Sequence, residues 1–130
     1  MKSLEQYIEE HTQNKEKAVD FVDYLNSLLD KYKFYKSSDL YNKANISRQL
    51  WSSIISGKSN PSLNVCLKIV FALKCDSHEC KYLLKKAGYT LPSSNKYSLI
   101  IKYAIENKIY DLNEVNDMLT EYGYEDSLIY

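Results

Sequence analysis

The sequence has little glycine, little proline and almost no arginine. Across 130 residues there are three Gly, two Pro and a single Arg, Arg48. So few turn-formers argue against a turn-dense β-sandwich or barrel. No run approaches the roughly 18 uncharged apolar residues that a membrane-spanning helix needs. The opening Met1-Lys2-Ser3-Leu4-Glu5-Gln6 is acidic and lacks an apolar stretch, so no signal peptide and a cytoplasmic location are expected. Cysteine is an odd set of three, Cys66, Cys75 and Cys80, which suits reduced thiols better than a disulfide frame. Net charge is missing too, with 17 basic against 17 acidic residues. That balance argues against a uniform polycation and against an acidic, disordered solubiliser. What is abundant is Tyr, with 13 copies, together with Lys, Asn and Ile. This usage fits the codon bias of an AT-rich bacterium or its phage, so scarce Arg says little about function.

The zero net charge is a cancellation. Residues 1–30 hold three basic and seven acidic groups, residues 31–90 eleven and three, and residues 91–130 three and seven. A middle of net +8 lies between two ends of −4. Such asymmetry is a cue for a polyanionic partner.

The periodicity is helical throughout. A short helix is expected near 3–11. An amphipathic one follows near 15–32, with Ile8, Val19, Val22, Leu25 and Leu29 spaced by threes and fours. Ser37-Ser38-Asp39 offers capping oxygens for a helix reaching about Ala44. Asn45 then sits where the chain must turn sharply, a position Asn tolerates. Ser47 can cap a helix near 48–56 that stops at Gly57. Pro61 and Ser62 introduce a helix through about Lys74, and Asp76 or Ser77 caps another to Ala87, closed by Gly88. Pro92 and Ser93-Ser94 precede a helix near 95–107, and a last one covers about 111–122. No period-two stretch competes, so the expected fold class is all-α.

Two short helices joined by Asn45-Ile46-Ser47 form a helix-turn-helix candidate. The run Ile46-Ser47-Arg48-Gln49-Leu50-Trp51-Ser52-Ser53-Ile54-Ile55-Ser56-Gly57-Lys58-Ser59-Asn60-Pro61-Ser62-Leu63 resembles the signature of the Xre-type, or Cro/C1-type, helix-turn-helix family. Leu67, Ile69, Ala72 and Leu73 fit that family's next helix. The resemblance covers about residues 18–86. Further segments, Tyr41–Ile46, Ala87–Leu91, Ser98–Tyr103 and Glu106–Asn116, are similar to a Firmicutes variant that adds two C-terminal helices. A chain of 130 residues is expected to form a single domain over 1–130. It would consist of an N-terminal helical extension (1–14), a five-helix helix-turn-helix core (15–90) and a two-helix extension (91–130). The family pattern usually has Ala at the position of Tyr41, Gly at Asn45, Glu at Ile55, Gln at Ser37 and a smaller apolar residue at Trp51. Tyr41 therefore implies a different spacing or tilt of the two helices.

In this family the second helix enters the major groove by its N-terminal residues. Arg48, Gln49, Ser52 and Ser53 are the expected base-edge contacts, Arg to guanine O6/N7 and Gln to adenine N6/N7. Ser37, Lys43, Ser47, Lys58 and Asn60 suit phosphate oxygens, and Lys31, Lys33 and Lys36 would extend the footprint. Leu50 and Ile54 are expected in the core. The implied partner is double-stranded DNA, bound by a homodimer on two half-sites.

Other constellations are weaker. Cys75-Asp76-Ser77-His78-Glu79-Cys80 with Cys66 lacks ordinary zinc spacing, so buried free thiols are expected and no metal or other cofactor. His11 and His78 have no Ser or Cys partner at motif spacing. Glu9-Glu10 and Asp20/Asp23 read as solvated helix faces, so no enzymatic activity is expected. Tyr97, Tyr103, Tyr110 and Tyr122, with Trp51, are candidate protein-interface residues, since tyrosine combines an apolar body with a polar tip. They leave open an alternative, a protein-interaction module such as a phage- or plasmid-encoded inhibitor or adaptor, without sequence-specific DNA binding.

Overall fold

The computed structural model describes residues 3–130, and the side chains of 3–6 and 20–130 among them. The described residues form α1 (Leu4–Lys31), α2 (Ser37–Lys43), α3 (Arg48–Ile55), α4 (Leu63–Leu73), α5 (Ser77–Lys86), α6 (Lys96–Glu106) and α7 (Leu112–Glu121). A 3-10 turn at Glu125–Ser127 follows. There is no strand among the described residues. The side chains of Ile8, Glu9, Glu10, His11, Lys15, Lys17 and Val19 lie outside the described set, as does Lys2.

The expected break between two N-terminal helices is absent, and α1 runs continuously through residues 12–14. Thr12-Gln13-Asn14 contains neither Gly nor Pro, the residues that stop helices. Ser3 starts α1 with a reciprocal capping box to Gln6. The C-terminal half of α1 buries Phe21, Leu25, Leu28 and Leu29.

α4 is the centre of the molecule. Eight of its eleven residues are buried, from Val65 to Leu73. A helix apolar on all sides must be enclosed by neighbours, and α2 and α5 pack directly on it. α5 also packs on α1 and α6, and α6 on α7. Ile101, Ala104 and Ile105 of α6 and Val115 and Leu119 of α7 join the same buried cluster as Leu67 and Phe71. The C-terminal tail is clipped down by side-chain amides. Asn116 accepts from the Ile129 N–H and donates to the Ile129 carbonyl, both at 2.8 Å, and Asn64 of α4 donates to the Leu128 carbonyl at 3.1 Å.

All seven helices end alike. A left-handed residue follows the last turn: Lys33, Asn45, Gly57, Lys74, Gly88, Lys108 and Gly123. The next N–H reaches back five residues, as Phe34 to Leu29, Ile46 to Tyr41, Lys58 to Ser53 and Cys75 to Val70. The same bond closes α5 (Tyr89 to Leu84), α6 (Ile109 to Ala104) and α7 (Tyr124 to Leu119). This is the Schellman termination, in which the residue making the long bond commonly packs back on the helix. Six of the seven such residues are apolar or aromatic and pack on the core, and Lys58 is the exception.

Candidate nucleic-acid interface

α2 begins differently from expectation. Lys36 takes the extended N-cap backbone, and no described side chain caps the helix. Ser37, Ser38 and Asp39 therefore lie inside the first turn, where Asp39 opposes the positive helix end. Asn45 turns the chain with φ 55°, as its position in the sequence implied. Ile46 is buried, and the Lys68 ammonium of α4 donates to the Asn45 carbonyl at 3.2 Å. The turn is thereby held from below.

Ser47 is the N-cap of α3, its hydroxyl oxygen accepting from the Leu50 N–H at 3.1 Å. Trp51 and Ile54 are buried, and Leu50 and Ile55 are half-buried. Arg48, Gln49 and Ser52 are exposed, and Ser53 is half-buried at the shoulder. At about 100° per residue these four fall within an arc of roughly 140°. α3 thus presents one polar face outward and is wedged inward by its apolar face. The Ser53 carbonyl accepts from the Lys58 and Ser59 N–H groups and from the Ser56 hydroxyl, which closes the end of α3. Lys58 itself is exposed. Lys43 is exposed at the end of α2, its ammonium 5.8 Å from the centre of the Phe34 ring.

Several expected roles need correction. Trp51 is only 5% exposed and packs at 6.0 Å against Tyr41, so it offers no free surface. The bulk of Tyr41 is matched by Trp51 across α2 and α3. Asn60 donates to the Ala87 carbonyl at 3.3 Å, tying the loop after α3 to the end of α5. Its amide serves the fold before any phosphate. Tyr97 packs edge-on against Tyr124, and Tyr110 packs against Phe71 and donates to the Cys75 carbonyl at 2.8 Å. Both are partly buried, whereas Tyr103 and Tyr122 are 55% and 59% exposed. Lys31, whose side chain is largely exposed, pairs with Glu79 at 2.7 Å.

Glu79 is the residue that pattern reading missed. It is 5% exposed and accepts from Lys31, the Tyr32 hydroxyl and the Asp76 N–H. Burial pushes its carboxyl up, but these hydrogen bonds outweigh burial and hold it below the ordinary value. The signal was present in Asp76-Ser77-His78-Glu79, an Asp-x-x-Glu capping box. That box forms, with Asp76 as the N-cap of α5. Cys66, Cys75 and Cys80 are buried free thiols, and burial pushes Cys66 and Cys80 up to about 12. His78 stacks on Tyr82, and Asp20 and Asp23 are exposed.

α2, the left-handed turn at Asn45 and α3 are a helix-turn-helix braced by α4. Residues 24–79 match the family model of the Cro/C1-type HTH DNA-binding domain. The matched segment holds α2, α3 and α4 whole, with the end of α1 and the start of α5. The fold is thus all-α, with a helix-turn-helix in the segment that is similar to the Cro/C1-type domain and further helices around it. No curated protein and no solved structure matches the chain. Among the described residues, no helix is long and apolar enough to cross a membrane.

Proposed function

We propose that this protein is a small DNA-binding transcriptional regulator that reads duplex DNA with α3. The observation that carries this reading is the exposed arc of Arg48, Gln49 and Ser52 on a helix wedged by Trp51 and Ile54. It lies within a segment that matches a DNA-binding family model. Arg48 reads guanine O6/N7, Gln49 reads adenine N6/N7, and Ser52 and Ser53 contact neighbouring base edges. Lys43, Lys58, Ser37 and Ser47 bind phosphate. Ser47 uses an oxygen lone pair for the Leu50 N–H, which leaves its hydroxyl hydrogen to donate outward. Asn60 positions the loop that carries Lys58. Residues 15–90 act as the reading core, with 1–14 and 91–130 as extensions.

The protein works in the cytoplasm of a low-GC bacterium or its mobile elements, as a homodimer on two half-sites. Leu99 and Tyr103, one turn apart on α6, and Tyr122 supply the dimer contact. Fluorescence anisotropy with genomic fragments tests the reading. Arg48→Ala should cost about 1–3 kcal/mol of discrimination at one base position. Lys58→Ala should weaken all fragments alike and reduce the salt slope by about one unit. The reading fails if no fragment is preferred and the double variant binds unchanged at low salt.

The exposure of Leu99, Tyr103 and Tyr122 also favours a second reading, a helix-turn-helix used to bind another protein. Recovery from the host of one stoichiometric partner, with no DNA, would favour it over the first.

A further inference from the structure

A groove of about 660 Å³ lies between α5 and α6, walled by the segment after α5. Its volume is within the range of small-molecule sites, roughly 300–1,000 Å³. The lining divides by chemistry. Cys80, Leu84 and Ile105 are buried and Leu91 half-buried, which makes an apolar floor. Lys81 and Lys85 are exposed, one helical turn apart on α5, and Lys102 faces them from α6. Glu106 is the single carboxylate on the lining. Three ammonium groups to one carboxylate around an apolar floor favour a ligand with an anionic head and an apolar body.

The groove is also joined to the helix-turn-helix. Tyr89 lines it, and the Tyr89 hydroxyl donates to the Pro61 carbonyl at 2.9 Å. Asn60 donates to the Ala87 carbonyl at 3.3 Å, two residues before Tyr89. Residues 60–61 follow directly on the Gly57-Lys58-Ser59 stretch that closes α3. The groove wall and the loop carrying Lys58 are therefore hydrogen-bonded to each other at two points.

We propose that the α5–α6 groove binds an amphipathic organic anion, and that Tyr89 transmits its occupancy to the loop after α3. The binding half stands alone; its meaning as regulation rests on the DNA reading of α3. Lys81, Lys85 and Lys102 hold the head, and Leu84, Leu91 and Ile105 take the body. A ligand pressing on the Tyr89 ring moves the Pro61 carbonyl and with it the position of Lys58.

The test is an NMR titration of the whole chain with octanoate and, separately, octanol, with no DNA present. The two probes share an apolar body and differ in charge. Octanoate should shift the amides of Lys85, Thr90, Leu91 and Ser93 and saturate. Octanol should bind at least about ten-fold more weakly. Lys81→Glu with Lys85→Glu should weaken octanoate about ten-fold, and because both positions are exposed the fold survives. In the wild type the shifts should extend to Gly57–Asn60. In Tyr89→Phe at saturation those distant shifts should shrink severalfold, because only the Asn60–Ala87 bond is left, while the shifts at Thr90 and Leu91 remain. Equal affinity for the two probes, or shifts that map away from the groove, overturns the anion site. Shifts that never reach Gly57, or reach it equally in Tyr89→Phe, overturn the coupling. A protein that binds no DNA would still give either answer.

Discussion

Replacing Glu79 by Gln should loosen the joint between α1 and α5. The carboxylate accepts from the Tyr32 hydroxyl, from Lys31 and from the Asp76 N–H. Gln keeps an oxygen for Asp76, because Gln also completes a capping box. It keeps only a neutral acceptor for Tyr32. A hydrogen bond to a charged group contributes about 1.5–3 kcal/mol and a neutral one about 1. The Lys31 side chain is exposed, and such pairs add little. The expected loss at pH 7 is therefore about 1–2 kcal/mol, or roughly 3–6 °C in Tm. The pH dependence is the sharper test. The folded carboxyl titrates below its ordinary value. A depressed folded pKa gives stability that is present above the unfolded pKa and lost as pH falls through the folded one. The gap between wild type and Glu79→Gln should hold from pH 7 to about 5 and close below the ordinary glutamate value near 4.3. Urea unfolding followed by circular dichroism at pH 7, 5, 4 and 3 measures it. A gap under about 0.5 kcal/mol at pH 7, the size of an ordinary surface substitution, would refute the reasoning. So would a gap that persists undiminished at pH 3.

Other expectations follow from the same geometry. Lys74 and Lys108 hold φ 60° and 57°. A left-handed residue with a Cβ costs roughly 1–2 kcal/mol, against about 0.5–1 for the extra freedom of Gly in the unfolded chain. Each Lys→Gly change should thus raise stability by about 0.5 kcal/mol, read as a higher urea midpoint at unchanged slope; a lower midpoint would contradict it. Asn116→Ala strips both bonds from the buried Ile129 backbone and should cost about 2–3 kcal/mol, with a wild-type-like melting curve as the contrary outcome. Cys66 and Cys80, raised by burial to about 12, should resist a thiol-disulfide reagent at pH 8 and react only as the chain unfolds. Complete labelling within the mixing time under native conditions would show the thiols to be accessible.

Much of this architecture could be read one turn at a time. Asn45, Ser47, Gly57, Ser62, Asp76 and Gly88 each act on a backbone within a few residues, and each sits at the helix end expected of it. α2 departs from the pattern, because none of its three capping candidates takes the extended backbone, which falls at Lys36 instead. The joints that hold helix to helix were not legible. Lys31 meets Glu79 across 48 positions, Asn60 meets Ala87 across 27, and Tyr89 reaches Pro61 across 28. No local periodicity encodes such pairings. The same limit separates the proposed reading residues from the others. Arg48, Gln49 and Ser52 follow from helical geometry on α3. That Trp51 and Tyr110 turn inward depends on partners, Tyr41 and Phe71, that lie on other elements.

The single departure among the seven helix endings has a dynamic consequence. Six helices are nailed at their C-termini by an apolar residue that must leave the core before the last turn can open. α3 carries Lys58 there, held by one backbone bond to Ser53 and facing solvent. Fraying should therefore start at the end of α3, and the amides of Ser56, Gly57 and Lys58 should exchange with deuterium faster than their counterparts on α4 or α5. A duplex that engages Lys58 would supply from outside the clamp that the core supplies to every other helix, and slowed exchange at those three amides would record it.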